Sequence, residues 1–142
     1  MLQIFEKRKD HIADLQRIYL EIRRKTFYWL EDSKDYHLSD FERDTEGEFV
    51  LVAVYNDKVA GFISLWMSGN FIHHLYIDEI YQGKNIGTKL LDEAIKIMLS
   101  PITLKCLAKN TNAVKFYESK GFSVKEKGTS NHGEYILYEL KK

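Results

Sequence analysis

Hydrophobic residues recur along the chain at two spacings, and each spacing predicts one type of secondary structure. Steps of three and four residues over 10–26 and 86–100 predict two amphipathic helices. Shorter helices are expected at 39–43, in an otherwise irregular stretch, and at 112–120. Runs rich in β-branched and aromatic residues predict seven strands. These strands are expected at residues 3–7, 49–55, 59–67, 71–77, 102–108, 122–127 and 135–140.

The order of these elements indicates the fold class. A strand and a helix are followed by a hairpin with a third strand, then by a helix, a strand, a helix and two final strands. This order predicts an α/β (α+β) fold in which helices pack on a mixed sheet. The Asn56-Asp57 pair supports the hairpin, since both residues tolerate the positive φ angles of a tight turn. At 142 residues, the chain has room for a single domain, residues 1–142.

The composition excludes several classes of function. The chain has 21 basic and 21 acidic residues, so no overall charge draws it to nucleic acid or to an anionic membrane. Cys106 is the only cysteine, which excludes an intrachain disulfide and a cysteine-based zinc module, and we expect no metal. The first residues lack the apolar core of a secretory signal, and no stretch reaches the ~20 apolar residues of a membrane helix. We therefore expect a cytoplasmic protein.

The charges are distributed unevenly although they sum to zero. Residues 31–48 hold eight acidic residues against two basic ones, a net charge of −6, whereas residues 105–127 carry a net charge of +4. A basic side suits the phosphates of a ligand, and an acidic stretch suits a cationic amine. Solvated surface charge is the alternative for both stretches. Aromatic residues near the acidic stretch either wall a pocket or cover the core, namely Phe27, Tyr28, Trp29 and Tyr36.

Residues 82–88 join a predicted strand to a predicted helix and have the features of an anion-binding turn. A helix N-terminus offers unpaired amides and a partial positive charge. Gly83 and Gly87 allow an anion to approach the backbone, Asn85 tolerates a left-handed conformation, and Lys84 adds charge. The spacing fits neither a Walker phosphate loop nor a dinucleotide-binding turn. A plain strand-to-helix turn is the alternative.

Two segments together resemble the GNAT N-acetyltransferase superfamily. Gln82 and Gly87 match the ends of that family's acyl-CoA-binding turn, Arg/Gln-x-x-Gly-x-Gly/Ala, with Asn85 in place of the middle glycine. Residues 110–122, NTNAVKFYESKGF, resemble its second signature, Asn-x-x-Ala-x-x-Phe-Tyr followed by Gly-Phe. The two signatures occur in the family's order and separation, and the resemblance covers residues 48–142 strongly.

This resemblance implies a fold and an activity. The fold is the GNAT acyl-CoA N-acyltransferase fold, a mostly antiparallel central sheet of about seven strands flanked by helices. The activity is transfer of the acetyl group of acetyl-CoA to a primary amine, on a small molecule or a protein lysine, by direct attack through a tetrahedral intermediate. A non-catalytic CoA-binding sensor or interaction domain of the same fold is the alternative, and an α/β domain for another small ligand is a third.

The expected assembly is a monomer or a homodimer. An exposed final strand and the many aromatic residues favour the dimer. The amine acceptor is the partner that the resemblance implies, with no nucleic acid and no membrane.

The resemblance also assigns residues to the cofactor site. Backbone amides around residues 75–77 would stabilise the oxyanion, and Asn110 would contact the cofactor or an ordered water. Tyr117 would be the general acid, since a phenol with a pKa near ~10 is protonated at neutral pH and can donate to a thiolate. Core packing is the alternative for Tyr117. The expected cofactor contacts are Leu75, Tyr76, Ile77, Gln82, Gly83, Lys84, Asn85, Ile86, Gly87, Thr88, Asn110, Ala113, Phe116 and Tyr117.

The general base has several candidates. His73 and His74 lie in mid-strand, where alternation predicts one imidazole on each face of the sheet and at least one near a cleft. Glu48, at the start of a strand, is the third candidate. For the two histidines, the alternative is a purely structural role. Lys105 stands where family members that acetylate protein N-termini tend to carry Glu, which counts against that substrate class. Cys106 lacks an activating neighbour, which counts against a covalent route.

Overall fold

The computed structural model describes residues 1–142 and contains the elements that the hydrophobic pattern predicts. The strands are β1 (Leu2–Glu6), β2 (Phe49–Tyr55), β3 (Lys58–Trp66), β4 (Phe71–Ile77), β5 (Ile102–Leu107), β6 (Ser123–Ser130) and β7 (Gly133–Leu140). The α-helices are α1 (Ile12–Thr26), α2 (Asp40–Asp44), α3 (Ile86–Ile97) and α4 (Thr111–Ser119). None of these helices combines the length and the hydropathy needed to span a membrane.

All seven strands join one mixed sheet in the order β1-β2-β3-β4-β5-β7-β6. Neighbouring strands are antiparallel except β4 and β5, which are parallel. These two strands pair only at Phe71 with Thr103 and at Ile72 with Leu104, and beyond these pairs they diverge. The predicted mixed, mostly antiparallel sheet is confirmed, and it opens near its centre between the C-terminal halves of β4 and β5.

Helices cover both faces of the sheet, and β2 shows how the sequence divides between them. Val50, Val52 and Val54 pack with residues of α1 and α2 on one face. Leu51 and Ala53 belong to the larger core on the other face, which includes residues of α3 and α4. This division follows from the two-residue repeat of a strand.

Two backbone features set the position of β3 and β4. The tight turn between β2 and β3 has φ angles of +48° at Asn56 and +67° at Asp57, as the sequence predicts. Gly61 of β3 lies so close to β4 that a Cβ atom there would be 2.5 Å from the carbonyl oxygen of Tyr76. Strand β4 is therefore held tightly against β3 along the segment that borders the central opening.

The final strand is not an edge of the sheet, so the expectation of an exposed final strand is wrong. The chain crosses from β5 through α4 to β6 at the edge, and β7 then returns between β5 and β6. Strand β6 is mostly exposed and polar, and it extends to Ser130 instead of ending at Lys127. A hydrophobic pattern cannot mark the end of such a strand, because both of its faces carry polar residues. Helix α3 also ends earlier than expected, at Ile97.

Candidate active site

A cavity of about 900 Å³ lies where β4 and β5 diverge. Its walls come from the end of α1, the second half of β4, the start of α3 and most of α4. The cavity thus joins the two segments of sequence that carry the family resemblance. Nine expected cofactor contacts line it, namely Leu75, Tyr76, Ile77, Gln82, Gly87, Asn110, Ala113, Phe116 and Tyr117.

The other five expected contacts do not line the cavity, although they adjoin it in the chain. They are Gly83, Lys84, Asn85, Ile86 and Thr88. Seven further wall residues were not expected from the sequence, namely Ile22, Lys25, Thr26, Glu79, Lys109, Thr111 and Asn112. Three of these seven come from α1, which no motif connected to the site.

The N-terminus of α3 is open for an anion. Asn85 adopts a left-handed φ angle of +63°, as the sequence predicts, and Gly83 has a positive φ angle of +83°. The amide of Lys89 donates to the carbonyl of Asn85, at 3.1 Å, so the amides of the three residues between them, 86–88, have no partner within the helix. The Asn85 side chain makes no capping hydrogen bond. These amides and the helix dipole are suited to bind a phosphate.

The N-terminus of α4 differs, because a side chain caps it. The Asn110 side-chain oxygen accepts from the amide of Ala113, at 3.4 Å, and the Asn110 carbonyl accepts from Val114, at 3.1 Å. This cap pairs one of the first amides of α4, and the helix also faces the cavity with the side chains of Phe116 and Tyr117.

Tyr117 has the properties of a proton donor. The residue is only 8% exposed, and its ring packs edge-on against Phe116 and Phe122. Burial raises the pKa of its hydroxyl, and no carboxylate accepts from it. By contrast, the hydroxyls of Tyr19 and Tyr138 donate to Asp44 and Glu118. The Tyr117 hydroxyl therefore stays protonated at neutral pH and is free to donate to a molecule in the cavity.

Two backbone amides of β4 point away from β3. The amide of Asp78 donates to the carbonyl of Ala60 at 2.7 Å, and hydrogen-bonded pairs alternate along an antiparallel ladder. The amides of Leu75 and Ile77 are therefore directed to the side that β5 leaves open. The carbonyl of Ile77 already accepts from the side chain of Gln82, at 3.0 Å. The two amides are donors that a ligand between β4 and β5 can use.

A comparison of the sequence with protein-family models identifies the family of this chain. Residues 12–122 match the model of the acetyltransferase (GNAT) family. The chain belongs to this family. It is 28% identical, over 135 residues, to an uncharacterized N-acetyltransferase of Methanocaldococcus jannaschii; that match covers 83% of this chain and 59% of the relative.

Solved GNAT structures share the fold of the whole chain. PaiA N-acetyltransferase of Thermoplasma acidophilum, in complex with coenzyme A, has a TM-score of 0.81 at 21% identity, covering 100% of this chain and 99% of that one. YncA of Salmonella typhimurium, a putative acetyltransferase with its cofactor acetyl-CoA, has a TM-score of 0.72 at 20% identity, with coverages of 99% and 93%. The seven-stranded GNAT fold implied by the resemblance is confirmed.

The three candidates for the general base lie outside the wall of the GNAT cavity, and two of them are arranged differently than expected. In the β3–β4 register Ser64 pairs with His74 and Leu65 with Ile72, so His73 is the extra residue of a β-bulge. The expectation that His73 and His74 lie on opposite faces is therefore wrong, since alternation does not continue through a bulge. Their rings lie 3.8 Å apart between centroids, at 31°, and the Nδ1 atom of His73 hydrogen-bonds a carboxylate oxygen of Glu48.

His74 is held by two hydroxyl groups. Its Nε2 atom is 3.2 Å from the hydroxyl of Tyr19, and its Nδ1 atom is 2.8 Å from the hydroxyl of Ser64. Burial, helped by the neighbouring His73, lowers the pKa of His74 to about 3. The imidazole of His74 is therefore neutral at physiological pH.

The acidic stretch is less available to a ligand than its net charge suggests. Asp40 pairs with Arg23 at 3.0 Å and with Arg43 at 3.3 Å, and Asp44 pairs with Arg43 at 2.9 Å. Burial alone would raise the pKa of Asp40. The pKa is nevertheless lowered, because the His37 amide and Arg23 donate hydrogen bonds to the carboxylate and the charges of Arg23 and Arg43 stabilise it. Asp40 and Asp44 are therefore ionised and already paired with arginines, and the Asp40–Arg23 pair links α2 to α1.

Two of the four aromatic residues noted in sequence reach the cavity. Tyr28 and Trp29 line it, with ring centroids 5.6 Å apart in an edge-on arrangement. Tyr36 instead lies under the guanidinium of Arg23, at 4.1 Å. Cys106 is buried in β5, and burial raises the pKa of its thiol to about 12, so it is not a nucleophile at neutral pH.

Proposed function

We propose that this protein transfers the acetyl group of acetyl-CoA to a primary amine by direct attack. The observation that carries the proposal is one cavity, between β4 and β5, that is lined both by the uncapped start of α3 and by Tyr117. Membership of the GNAT family supports it, as do the coenzyme A and acetyl-CoA named with the Thermoplasma and Salmonella structures.

In this proposal the start of α3 binds the pyrophosphate of coenzyme A. The free amides of residues 86–88 donate to the phosphate oxygens, and Gly87 leaves the space that a side chain would fill. Lys109 adds positive charge, since it forms no ion pair, whereas the other cavity lysine, Lys25, is paired with Glu79. The pantetheine arm then runs along the unpaired edge of β4.

The chemistry uses β4 and α4. The amine nitrogen attacks the thioester carbonyl carbon, and the amides of Leu75 and Ile77 donate to the oxyanion that forms. The carbon–sulfur bond then breaks, and the Tyr117 hydroxyl donates its proton to the departing thiolate. The attacking nitrogen loses one proton to solvent as the amide forms. Solvent returns a proton to the Tyr117 oxygen and so restores the phenol. Burial raises the pKa of Tyr117, so its hydroxyl is protonated when the thiolate forms.

The attacking amine must first lose the proton of its ammonium form. Glu48, His73 and His74 remain the candidates proposed for this step, and each would act through water because none lines the cavity. His74 lies near the wall, since its ring centroid is 6.0 Å from that of the wall residue Tyr76. Its pKa of about 3 makes it a weak base, which counts against it for this step.

The acceptor enters beside Tyr28 and Trp29 in this proposal. The faces of aromatic rings attract cations, with about 0.5–1 kcal/mol at exposed sites. Tyr28 is 77% exposed, so its ring is accessible to an ammonium group in solution. A primary amine on a small molecule or on a protein lysine fits this entrance.

A thiol-release assay with a panel of amines tests the proposal. Purified protein is mixed with acetyl-CoA and a polyamine, an amino acid, an aminoglycoside or a lysine peptide, and free thiol and acetylated amine are both measured. We expect at least one amine to give equal amounts of the two products, above the rate without amine. Binding of coenzyme A with no thiol release for any amine would support the sensor alternative, and no binding of coenzyme A would reject the cofactor.

A further inference from the structure

A second cluster of polar side chains lies beside the cavity, at the bulge of β4. Glu48, just before β2, and the two residues of the bulge, His73 and His74, bring one ligand atom each to within 4.8 Å of one another. Glu48 is separated by 25 residues of sequence from His73, so no local spacing marks the cluster. The bulge is essential to it, because a regular strand would direct the two imidazoles to opposite faces.

One carboxylate oxygen of Glu48 lacks a partner. The Glu48 side chain is only 6% exposed, and its Oε2 atom accepts from His73. Its Oε1 atom is fully buried and makes no hydrogen bond, and it is the single buried side-chain polar atom of the chain for which this is true. Nδ1 of His74 is 3.8 Å from this oxygen. A buried carboxylate oxygen without a partner is unfavourable, and a bound cation would satisfy it.

The hydrogen bonds around His74 direct a lone pair towards this oxygen. The hydroxyl of Tyr19 donates to Asp44 at 2.7 Å, so it can only accept from Nε2 of His74. The proton of His74 is therefore on Nε2, and Nδ1 carries the lone pair. Nδ1 faces the hydroxyl of Ser64 and Glu48. A metal-ligating histidine usually donates its other nitrogen to an outer partner, as Nε2 does here, and an ion would take the lone pair of Nδ1 that now accepts from Ser64.

We infer that Glu48, His73 and His74 form a binding site for a divalent transition-metal ion of the zinc type. Two imidazole nitrogens and one carboxylate oxygen are a ligand set that zinc uses in proteins, whereas Mg²⁺ and Ca²⁺ prefer oxygen ligands alone. Tetrahedral ligation places ligand atoms about 3.4 Å apart, so candidate ligand atoms within 4.8 Å of one another would have to approach by at most about 1.4 Å. His73 is 43% exposed, so an ion from solvent can reach the site past its ring.

This inference does not depend on the proposed acetyl transfer, and it revises the expectation that the protein holds no metal. The ion would tie the start of β2 to the bulge of β4 and would satisfy the free oxygen of Glu48. Its binding is therefore measured directly, without an activity assay.

The test uses full-length protein without a polyhistidine tag, stripped of metal with a chelator. Zn²⁺ is titrated by calorimetry, and Co²⁺ is followed by its visible absorption. We expect binding of one ion per chain, with the intense Co²⁺ bands of low coordination number, and no binding of Mg²⁺. His73→Ala and Glu48→Gln should each weaken Zn²⁺ binding by about 100-fold or more, since loss of even an outer partner costs ~10–100-fold.

The control is His132→Ala, which removes another half-exposed histidine paired with a carboxylate, that of Asp32. It should leave the affinity for Zn²⁺ unchanged. His73→Ala removes an exposed side chain, so circular dichroism should show a folded protein. The inference is overturned if the wild type binds no Zn²⁺, if His73→Ala and Glu48→Gln bind as tightly as the wild type, or if His132→Ala abolishes binding.

Discussion

The two helices that begin at the cavity, α3 and α4, differ at their N-termini. Helix α4 is capped by the Asn110 side chain, whereas α3 starts after the left-handed residue Asn85 and has no side-chain cap. The side-chain cap pairs one of the first amides of α4, whereas the first amides of α3 all stay free for a ligand. In the proposed function α3 binds the cofactor and α4 supplies the proton donor, and this contrast can be tested at each helix.

The largest expected effect is on turnover, from Tyr117→Phe on α4. Loss of the proton donor should lower kcat for acetyl transfer about 100-fold or more, while the affinity for coenzyme A stays nearly unchanged. Kinetics with the amine found active and calorimetry with coenzyme A check the two parts. Tyr138→Phe is the matched control, because its hydroxyl bonds Glu118 outside the cavity, and its kcat should be that of the wild type. A Tyr117→Phe enzyme with normal kcat would contradict the role of α4.

The next effect is on binding, from Gly87→Val on α3. A Cβ at residue 87 would lie 3.7 Å from Ile77 and 3.8 Å from Phe116, which both line the cavity, so valine adds its methyl groups to that part of the wall. We expect affinity for coenzyme A to fall about tenfold or more, which is about 1.4 kcal/mol. Lys96→Val, near the other end of the same helix, controls for the helix propensity of valine and should bind coenzyme A normally.

A smaller effect is expected on stability, from Asn110→Ala at the start of α4. Removing the cap should lower the free energy of unfolding by about 1 kcal/mol. Asn110→Asp, which keeps an accepting oxygen, should retain most of that stability. Urea unfolding monitored by circular dichroism measures both variants. If Asn110→Ala is as stable as the wild type, α4 is not stabilised by this cap and the contrast with α3 fails.

The smallest effect is expected from Asn85→Gly, before α3. Glycine adopts the φ angle of +63° without strain, so the free energy of unfolding should change by no more than about 0.5 kcal/mol. Asn85→Ala should cost about 1 kcal/mol, because alanine is strained in that conformation. The same unfolding measurement compares them. Equal stability of the two variants would mean that the turn relaxes, and the amides would then not be held in place by a left-handed residue.

The sequence predicts features of this site that depend on local chemistry. Asn85 was expected to tolerate a left-handed conformation and adopts one, because the preference resides in the residue itself. Asn110, Phe116 and Tyr117 reach the cavity together because a single helix and its cap fix their relative positions.

Features that depend on strand pairing could not be predicted in this way. The bulge at His73 is created by the register of β4 against β3, which the residues of β4 alone do not determine. The wall residues Ile22 and Lys25 are part of an ordinary amphipathic helix, and only the packing of α1 across the sheet brings them to the cavity. The place of β7 inside the sheet likewise depends on the crossing of α4 to the edge.

One measurement tests most directly that the start of α3 binds the pyrophosphate. Calorimetric titrations of the wild type and of Gly87→Val with coenzyme A and with pantetheine, which lacks the pyrophosphate, form a closed cycle. The wild type should bind coenzyme A much more tightly than pantetheine, and Gly87→Val should lose most of that preference while binding pantetheine nearly as well as the wild type does. If Gly87→Val keeps the full preference for coenzyme A, the pyrophosphate binds elsewhere and the assignment of binding to α3 is wrong.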